Sequence, residues 1–362
     1  MTNSTLLLLV AAFLETSVRA QVHESVLPLT VAESLEQAHK LNRGGEYREA
    51  IKSYEALLSG YPADQNVEFR AHVLTAIADA ETELGNFAEG QSRAREALSS
   101  LAFSQMGHTG AFAIAEGALT DALRAQAKNG EARAHGEHAV AIAKDTLGPA
   151  HPEFGMLLNT LAGVAIQQGD LGRARELCRR ALEIFANAGE ASRGRLGTAY
   201  QNLAVVEAQR RKPKQALDAV HHALAAWNGV LPPDHPFIVY ALSTEMLVYL
   251  ALKELRKAED AIPEALRRCL SRFGPDHPQR VLVLNNAAAV YVAGRKYQEA
   301  EPLLRESLAV ARRCFPAGHP FLSQLLKNYS GLLARLNRRE EASRLRAESN
   351  VISAEALRRT DR

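Results

Sequence analysis

One interval governs this chain. His235-Pro236, His277-Pro278 and His319-Pro320 follow one another at 42 residues, and His151-Pro152 lies two such intervals before the first of them. An independent landmark keeps the same beat, because Ala132, Ala174, Ala216, Ala258, Ala300 and Ala342 are also 42 apart. Two unrelated features in one phase define a repeat array, and an array grows by stacking one small unit against the next. The 362 residues therefore need no second or third globular core.

Within each unit the pattern is helical. Proline in a first turn loses no hydrogen bond, so the His-Pro pairs read as helix starts, and Asp234 and Asp276 beside them are candidate caps. Gly169 and Gly294 read as ends of first helices. The alanine column then opens a second helix. Small residues return seven positions later at Ala139, Ala181, Ala223, Ala265 and Ser307, on the side where a neighbouring helix must come close. Leu158, Tyr200, Leu242, Leu284 and Leu326 form a core column on the first helix. A glycine or proline turn every 20 residues or so excludes a long coiled coil. The expectation is an all-α stack of about eight antiparallel helix pairs, beginning with one shorter pair around Arg43–Glu46 and continuing with a pair around Gly85-Asn86. The fifth unit keeps the phase but carries Arg193-Gly194 in place of His-Pro.

The N-terminus is different. Leu6 to Leu14 is an unbroken apolar run, and Val18-Arg19-Ala20 places small residues ahead of Gln21 as in a signal-peptide cleavage site. The run is too short to span a bilayer. Residues 1–20 are thus expected to be a signal peptide, 21–29 a linker, 30–358 the array and 359–362 a tail. Export to the periplasm or the exterior is the expected destination, with a cytoplasmic protein carrying an N-terminal extension as the alternative.

With those residues in place, the array resembles the tetratricopeptide repeat, in the 42-residue subclass typified by kinesin light chains. Leu147-Gly148-Pro149-Ala150-His151-Pro152 carries that subclass's opening phrase. Leu158-Asn159-Thr160-Leu161-Ala162 and Leu284-Asn285-Asn286-Ala287-Ala288 carry its second. Ala258-Glu259 through Ala265-Leu266 and Ala300-Glu301 through Ser307-Leu308 carry its third. The resemblance implies a right-handed superhelical solenoid whose first helices line a concave groove. It also implies that polar side chains in the groove receive an extended peptide or a partner helix. The matching positions are Asn159, Gln201, Ser243, Asn285 and Lys327, with Thr160, Asn202, Thr244, Asn286 and Asn328 one residue on. Amides can both donate to and accept from a peptide backbone, and Lys327 and Arg335 add charge at one end.

Other chemistries find little support. Forty-three basic against forty-one acidic side chains leave a net charge of +2, which does not suit a protein that holds nucleic acid through phosphates. Cys178, Cys269 and Cys314 have no paired spacing, so neither a disulfide framework nor a zinc knuckle is expected. Histidines one repeat apart are separated by a helix-packing distance of about 10 Å, too far to share one metal ion. His135 and His138, three apart on one helix, and the adjacent His221-His222 supply only two nitrogens each, which do not make a metal site. Asp79, Asp121 and Glu207 read as solvated charge, and the basic run Gln209–Lys214 as a solvated turn. No phosphate-cradling loop or nucleophile elbow occurs. The functional expectation is a non-catalytic interaction scaffold with a protein or peptide partner. It needs no cofactor, metal, small-molecule substrate or transmembrane helix. An accessory or regulatory subunit of a separately encoded enzyme is the alternative.

Overall fold

The computed structural model describes residues 29–60 and 66–360. Sixteen α-helices and one short 3-10 turn account for them, with no strand among the described residues. The expected signal peptide and nearly all of the linker lie outside this range. The helices pair as eight repeats. Repeat 1 is α1 (Leu29–Arg43) and α2 (Tyr47–Gly60), repeat 2 α3 (Val67–Glu83) and α4 (Phe87–Phe103), and repeat 3 α5 (Gly110–Ala125) and α6 (Asn129–Thr146). Repeat 4 is α7 (Pro152–Gln168) and α8 (Leu171–Asn187), repeat 5 α9 (Arg193–Gln209) and α10 (Pro213–Trp227), and repeat 6 α11 (Pro236–Ala251) and α12 (Leu255–Arg272). Repeat 7 is α13 (Pro278–Ala293) and α14 (Tyr297–Cys314), and repeat 8 α15 (Pro320–Arg335) and α16 (Arg339–Thr360). Each helix packs on its partner and on the next repeat, and the stack winds as a right-handed superhelix with the first helices inside.

The small-residue columns do what their spacing implies. Ala132, Ala174, Ala216, Ala258 and Ala300 are wholly buried, as are Ala139, Ala181, Ala223, Ala265 and Ser307. With only a methyl or hydroxymethyl at the crossing points, second helices nest against their neighbours. Larger side chains fill what remains: Phe154 and Phe185 in repeat 4, Met246 and Ile262 in repeat 6, Leu325 and Leu326 in repeat 8. Of the leucine column, Leu158, Leu284 and Leu326 are buried, while Tyr200 and Leu242 are only half-buried.

Helix starts differ from the sequence expectation in one respect. The histidine itself caps, and the aspartate before it does not. Nδ1 of His151, His235, His277 and His319 accepts the backbone N–H two residues on, at 3.1–3.2 Å. Asp234 and Asp276 instead face arginines of the neighbouring second helices, Arg272 at 3.8 Å and Arg313 at 2.7 Å. In the fifth repeat the start is rebuilt around Trp227. Its indole N–H donates to the Gly194 carbonyl at 3.0 Å, and the ring packs closely against Gly197. First helices end where expected, but the left-handed residue varies. It is Gly169 in repeat 4 and Arg295, one residue beyond Gly294, in repeat 7.

The coil returns on itself after five repeats. Arg272 of repeat 6 donates to the Gly44 carbonyl of repeat 1 at 2.7 Å, and His277 of repeat 7 to the Glu83 carbonyl of repeat 2 at 2.9 Å. His319 of repeat 8 reaches the Ala125 carbonyl of repeat 3 at 3.3 Å, and Phe315 stacks on Phe87. The inner face consequently bounds a lumen, closed along its side by this seam.

Candidate functional site: the inner face

Every polar residue expected on the inner face is on a first helix, and the structure joins nearly all of them to one another. The Asn202 amide donates to the Asn159 side chain at 2.9 Å and to its carbonyl at 3.2 Å. Gln201 donates to Thr244 at 2.8 Å, Asn286 to Ser243 at 2.8 Å, and Asn328 to Asn285 at 2.9 Å. Thr160 continues the series toward the N-terminus by donating to Asp121 at 2.9 Å. Each pair joins consecutive repeats, so the ladder runs unbroken from repeat 3 to repeat 8. Four of its rungs span 43 residues, one more than the repeat, which lets a side chain reach its neighbour's column diagonally.

Burial follows from these bonds. Asn159, Gln201 and Ser243 are buried, Asn202, Asn285, Asn286 and Asn328 half-buried, and Lys327 exposed with a long contact to Ser353. A buried amide without a partner would be costly, and the rungs satisfy most of them. The Gln201 side-chain oxygen is a buried acceptor with no protein partner. The rungs engage the side-chain nitrogens of Gln201, Asn202, Asn286 and Asn328 and the side-chain oxygens of Asn159 and Asn285.

The N-terminal third of the inner face is acidic. Asp79 and Glu83 on α3 stand near Asp121 on α5. Burial first, and then the neighbouring carboxylates Asp121, Glu83 and Glu153, push Asp79 well above the usual carboxylate range. Glu83 rises to about 7, again by burial and by Asp121, with Arg124 opposing. Asp79 itself keeps contact with water, so its desolvation is that of a narrow wet passage and not of a dry core. Arg124 pairs with Asp121 at 3.0 Å, packs beside Gly163 and interacts electrostatically with Tyr240 of repeat 6 across the passage. Farther along, the register of Asp79 and Asp121 is occupied by Gly163, Val205, Leu247, Ala289 and Gly331. Leu247 is the exposed large apolar residue of the first helices among the described residues.

Three polar clusters escaped sequence reasoning. Tyr54, His39 and His72 form a chain with contacts of 2.7 and 3.1 Å, and burial drives His39 down to about 3. Glu116 is buried in repeat 3 and is met by the Nδ1 atoms of His135 at 2.5 Å and His138 at 3.1 Å, which raises His135. Glu207 is buried and not solvated as its sequence context suggests, because Arg175 at 2.6 Å and Arg210 at 3.1 Å neutralise it. A carboxylate at a core position of one repeat, with basic residues one helix away, is the only sequence signal for the last two. No grouping with the ligands for a metal occurs among the described residues, and none of their helices is long and apolar enough to cross a membrane. Cys178 and Cys269 are buried, with thiols pushed up to about 12 by that burial.

Comparison with known proteins agrees with the architecture. The sequence profile of the tetratricopeptide repeat matches residues 153–229, 247–313 and 282–349, and a second profile of the same description matches 117–153. The chain belongs to the tetratricopeptide repeat family. Its units carry the 42-residue length and phrases of the kinesin light chain-like subclass. A clustered mitochondria protein homolog from Coccidioides immitis is 25% identical over 115 residues, 32% of this chain, and the chain spans only 9% of that relative's length. The structure of a Rap protein complexed with competence and sporulation factor superposes with a TM-score of 0.62 at 14% identity, covering 92% of this chain and 100% of that one. Kinesin light chain TPR-like repeats from Podosopora anserina align at 21% identity and a TM-score of 0.44, over 57% of this chain and 98% of that one.

Proposed function

We propose that this protein is a non-catalytic scaffold that takes an extended peptide or a partner helix along its inner face. The observation that carries the reading is the continuity of that face. The first helices of repeats 2–8 carry neutral hydrogen-bonding groups, an acidic end at Asp79, Glu83 and Asp121, and an exposed apolar residue at Leu247. A backbone N–H can be received by the Asn202 and Asn286 oxygens, and a side chain by the Leu247 surface. Asn159, Gln201, Ser243 and Asn285 serve chiefly by holding the rungs, while Lys327 and Asn328 mark the C-terminal exit. The Rap protein that superposes on this chain is itself complexed with a factor, which accords with a partner-holding role for arrays of this shape. Export by the residue 1–20 segment belongs to the same proposal, and a mature protein starting at Gln21 is its test.

The test of the groove is selection of binders from a displayed library of random peptides, followed by binding to three variants. Leu247→Arg and Gly331→Arg place charge and bulk in the lumen register, and Leu270→Arg alters an exposed leucine on a second helix. Selected peptides are expected to lose about tenfold or more in affinity, about 1.4 kcal/mol, to both lumen variants and nothing to Leu270→Arg. Equal binding to all three, or loss confined to Leu270→Arg, contradicts the proposal.

A further inference from the structure

The His-Pro histidines have a second contact that helix capping does not require. Each uses Nδ1 to accept its own helix's N–H, which leaves Nε2 as the donor of a neutral ring. Nε2 of His277 meets the Glu83 carbonyl at 2.9 Å and that of His319 the Ala125 carbonyl at 3.3 Å, both across 194 residues. His235 stands in the corresponding place near the backbone of Arg43, where Arg272 makes the bond across the seam to Gly44. These are the carbonyl ends of the first helices of repeats 1, 2 and 3, where unsatisfied C=O groups stand. His151 caps in the same way, and among the described residues its ring makes no second bond across the coil. One motif thus closes the coil at three successive points.

The glycines facing the seam support this independently. The turn between the two helices of a repeat has one residue with positive φ. It is Gly45, Gly85, Ala127 and Gly169 in repeats 1–4, and Arg211, Lys253, Arg295 and Asn337 in repeats 5–8. The turn itself therefore tolerates long side chains. At Gly45 a Cβ would lie 2.9 Å from Pro236 Cδ and 2.7 Å from Arg272, and at Gly85 2.7 Å from the Pro278 ring. At these two turns the docked repeat leaves no room for a side chain, whereas Ala127 holds the equivalent position under repeat 8, where the histidine contact is also the longest at 3.3 Å. Gly169 has the same backbone, with φ of +79°, and open space around it.

We propose that the His-Pro segments of repeats 6, 7 and 8 form a releasable latch that holds the superhelix closed along its side, and that freeing them opens the coil while every repeat stays folded. The seam is a few polar bonds, the docking of Pro236 and Pro278 on the Gly45 and Gly85 turns and one Phe87–Phe315 stack, whereas neighbouring repeats share continuous helix packing, so the seam yields first. Closure does not depend on the groove having a ligand, but the latch's use as the lateral entry to the lumen rests on the function proposed above.

Two matched pairs of variants test the latch by small-angle scattering and circular dichroism of the unliganded full chain. In the triple variant His235→Asn, His277→Asn, His319→Asn, asparagine still caps each helix but is too short to cross the seam. Its control is His151→Asn. In Gly45→Ala with Gly85→Ala, the methyls collide with the docked prolines, and Gly169→Ala imposes the same backbone strain without the collision. Both seam variants are expected to show a radius of gyration and maximum dimension larger by several ångströms, with unchanged helix content, while both controls scatter like the parent. Folded seam variants that scatter like the parent overturn the latch. So do controls that expand equally, or expansion accompanied by loss of helix, since the seam would then hold the fold itself.

Discussion

The rung between Asn286 and Ser243 offers a quantitative test of how the inner face is held together. The Asn286 amide donates to the Ser243 hydroxyl at 2.8 Å, and the two ends differ in burial, with Ser243 at 1% exposure and Asn286 half-buried. Replacing Ser243 by alanine leaves an amide that water can reach, so the loss is that of one ordinary hydrogen bond, about 0.5–1 kcal/mol. Replacing Asn286 by alanine strands a hydroxyl in the interior at about 1–2 kcal/mol, the low end of the desolvation range, because the hydroxyl can turn back to its own helix as Thr244 does to the Tyr240 carbonyl. The double variant removes both groups and should cost about 1 kcal/mol less than the sum of the singles. Urea titrations of the four proteins, followed by circular dichroism, measure all three quantities. A coupling energy within about 0.3 kcal/mol of zero, or a larger loss for Ser243→Ala than for Asn286→Ala, would refute the reasoning.

Other consequences follow from the same geometry. Gly197→Ala, which in an ordinary helix would stabilise, should here cost about 1–3 kcal/mol, because its Cβ would lie 2.4 Å from the buried Trp227 ring; tryptophan fluorescence shifted to the red should accompany the loss, and unchanged stability would contradict it. The imidazoles should titrate in opposite directions by NMR, with His135 above the usual 6.5 through its bond to Glu116, and His235 and His277 near 4 through burial. Stabilisation from His135 is therefore full below its unfolded value and is lost as pH rises through its folded one. For the seam the sign is reversed. An open coil would bind protons that the closed coil refuses, so falling pH should favour opening between about 6.5 and 4 and leave closure unaffected above that window. Asp234 and Arg272 face His235, Arg48 faces His277, and the Ala125 carbonyl faces His319, while Asp79 and Glu83 in the lumen respond in the opposite sense. The histidine contribution is the part of the scattering response that disappears in the triple asparagine variant.

The unit was legible in the sequence because it is local. An alanine at Ala174 or Ala258 is buried by its own repeat and the next one, and the phase of the column says so directly. The His-Pro starts were legible for the same reason, although the capping atom is the imidazole and not the preceding aspartate. The seam was not legible. Where repeat 6 meets repeat 1 depends on small rotations accumulated over five units, and no residue near His235 encodes that sum. The amide column was visible, but its offset of 43 residues was not, and that offset turns a row of separate groups into rungs between repeats. Glu207 and Glu116 were misjudged or passed over because their partners, Arg175, His135 and His138, lie on other helices at distances only the packing defines.

The most direct test of the closed coil is the distance across the seam between repeats 2 and 7. Ala88 and Gly274 are exposed on either side of it. Spin labels there, with Cys314 changed to serine and the buried Cys178 and Cys269 left in place, permit a double electron–electron resonance measurement. The account predicts one narrow distribution near about 20 Å, two helix spacings. A broad distribution on the order of 50 Å, five repeats laid end to end without return, would contradict it.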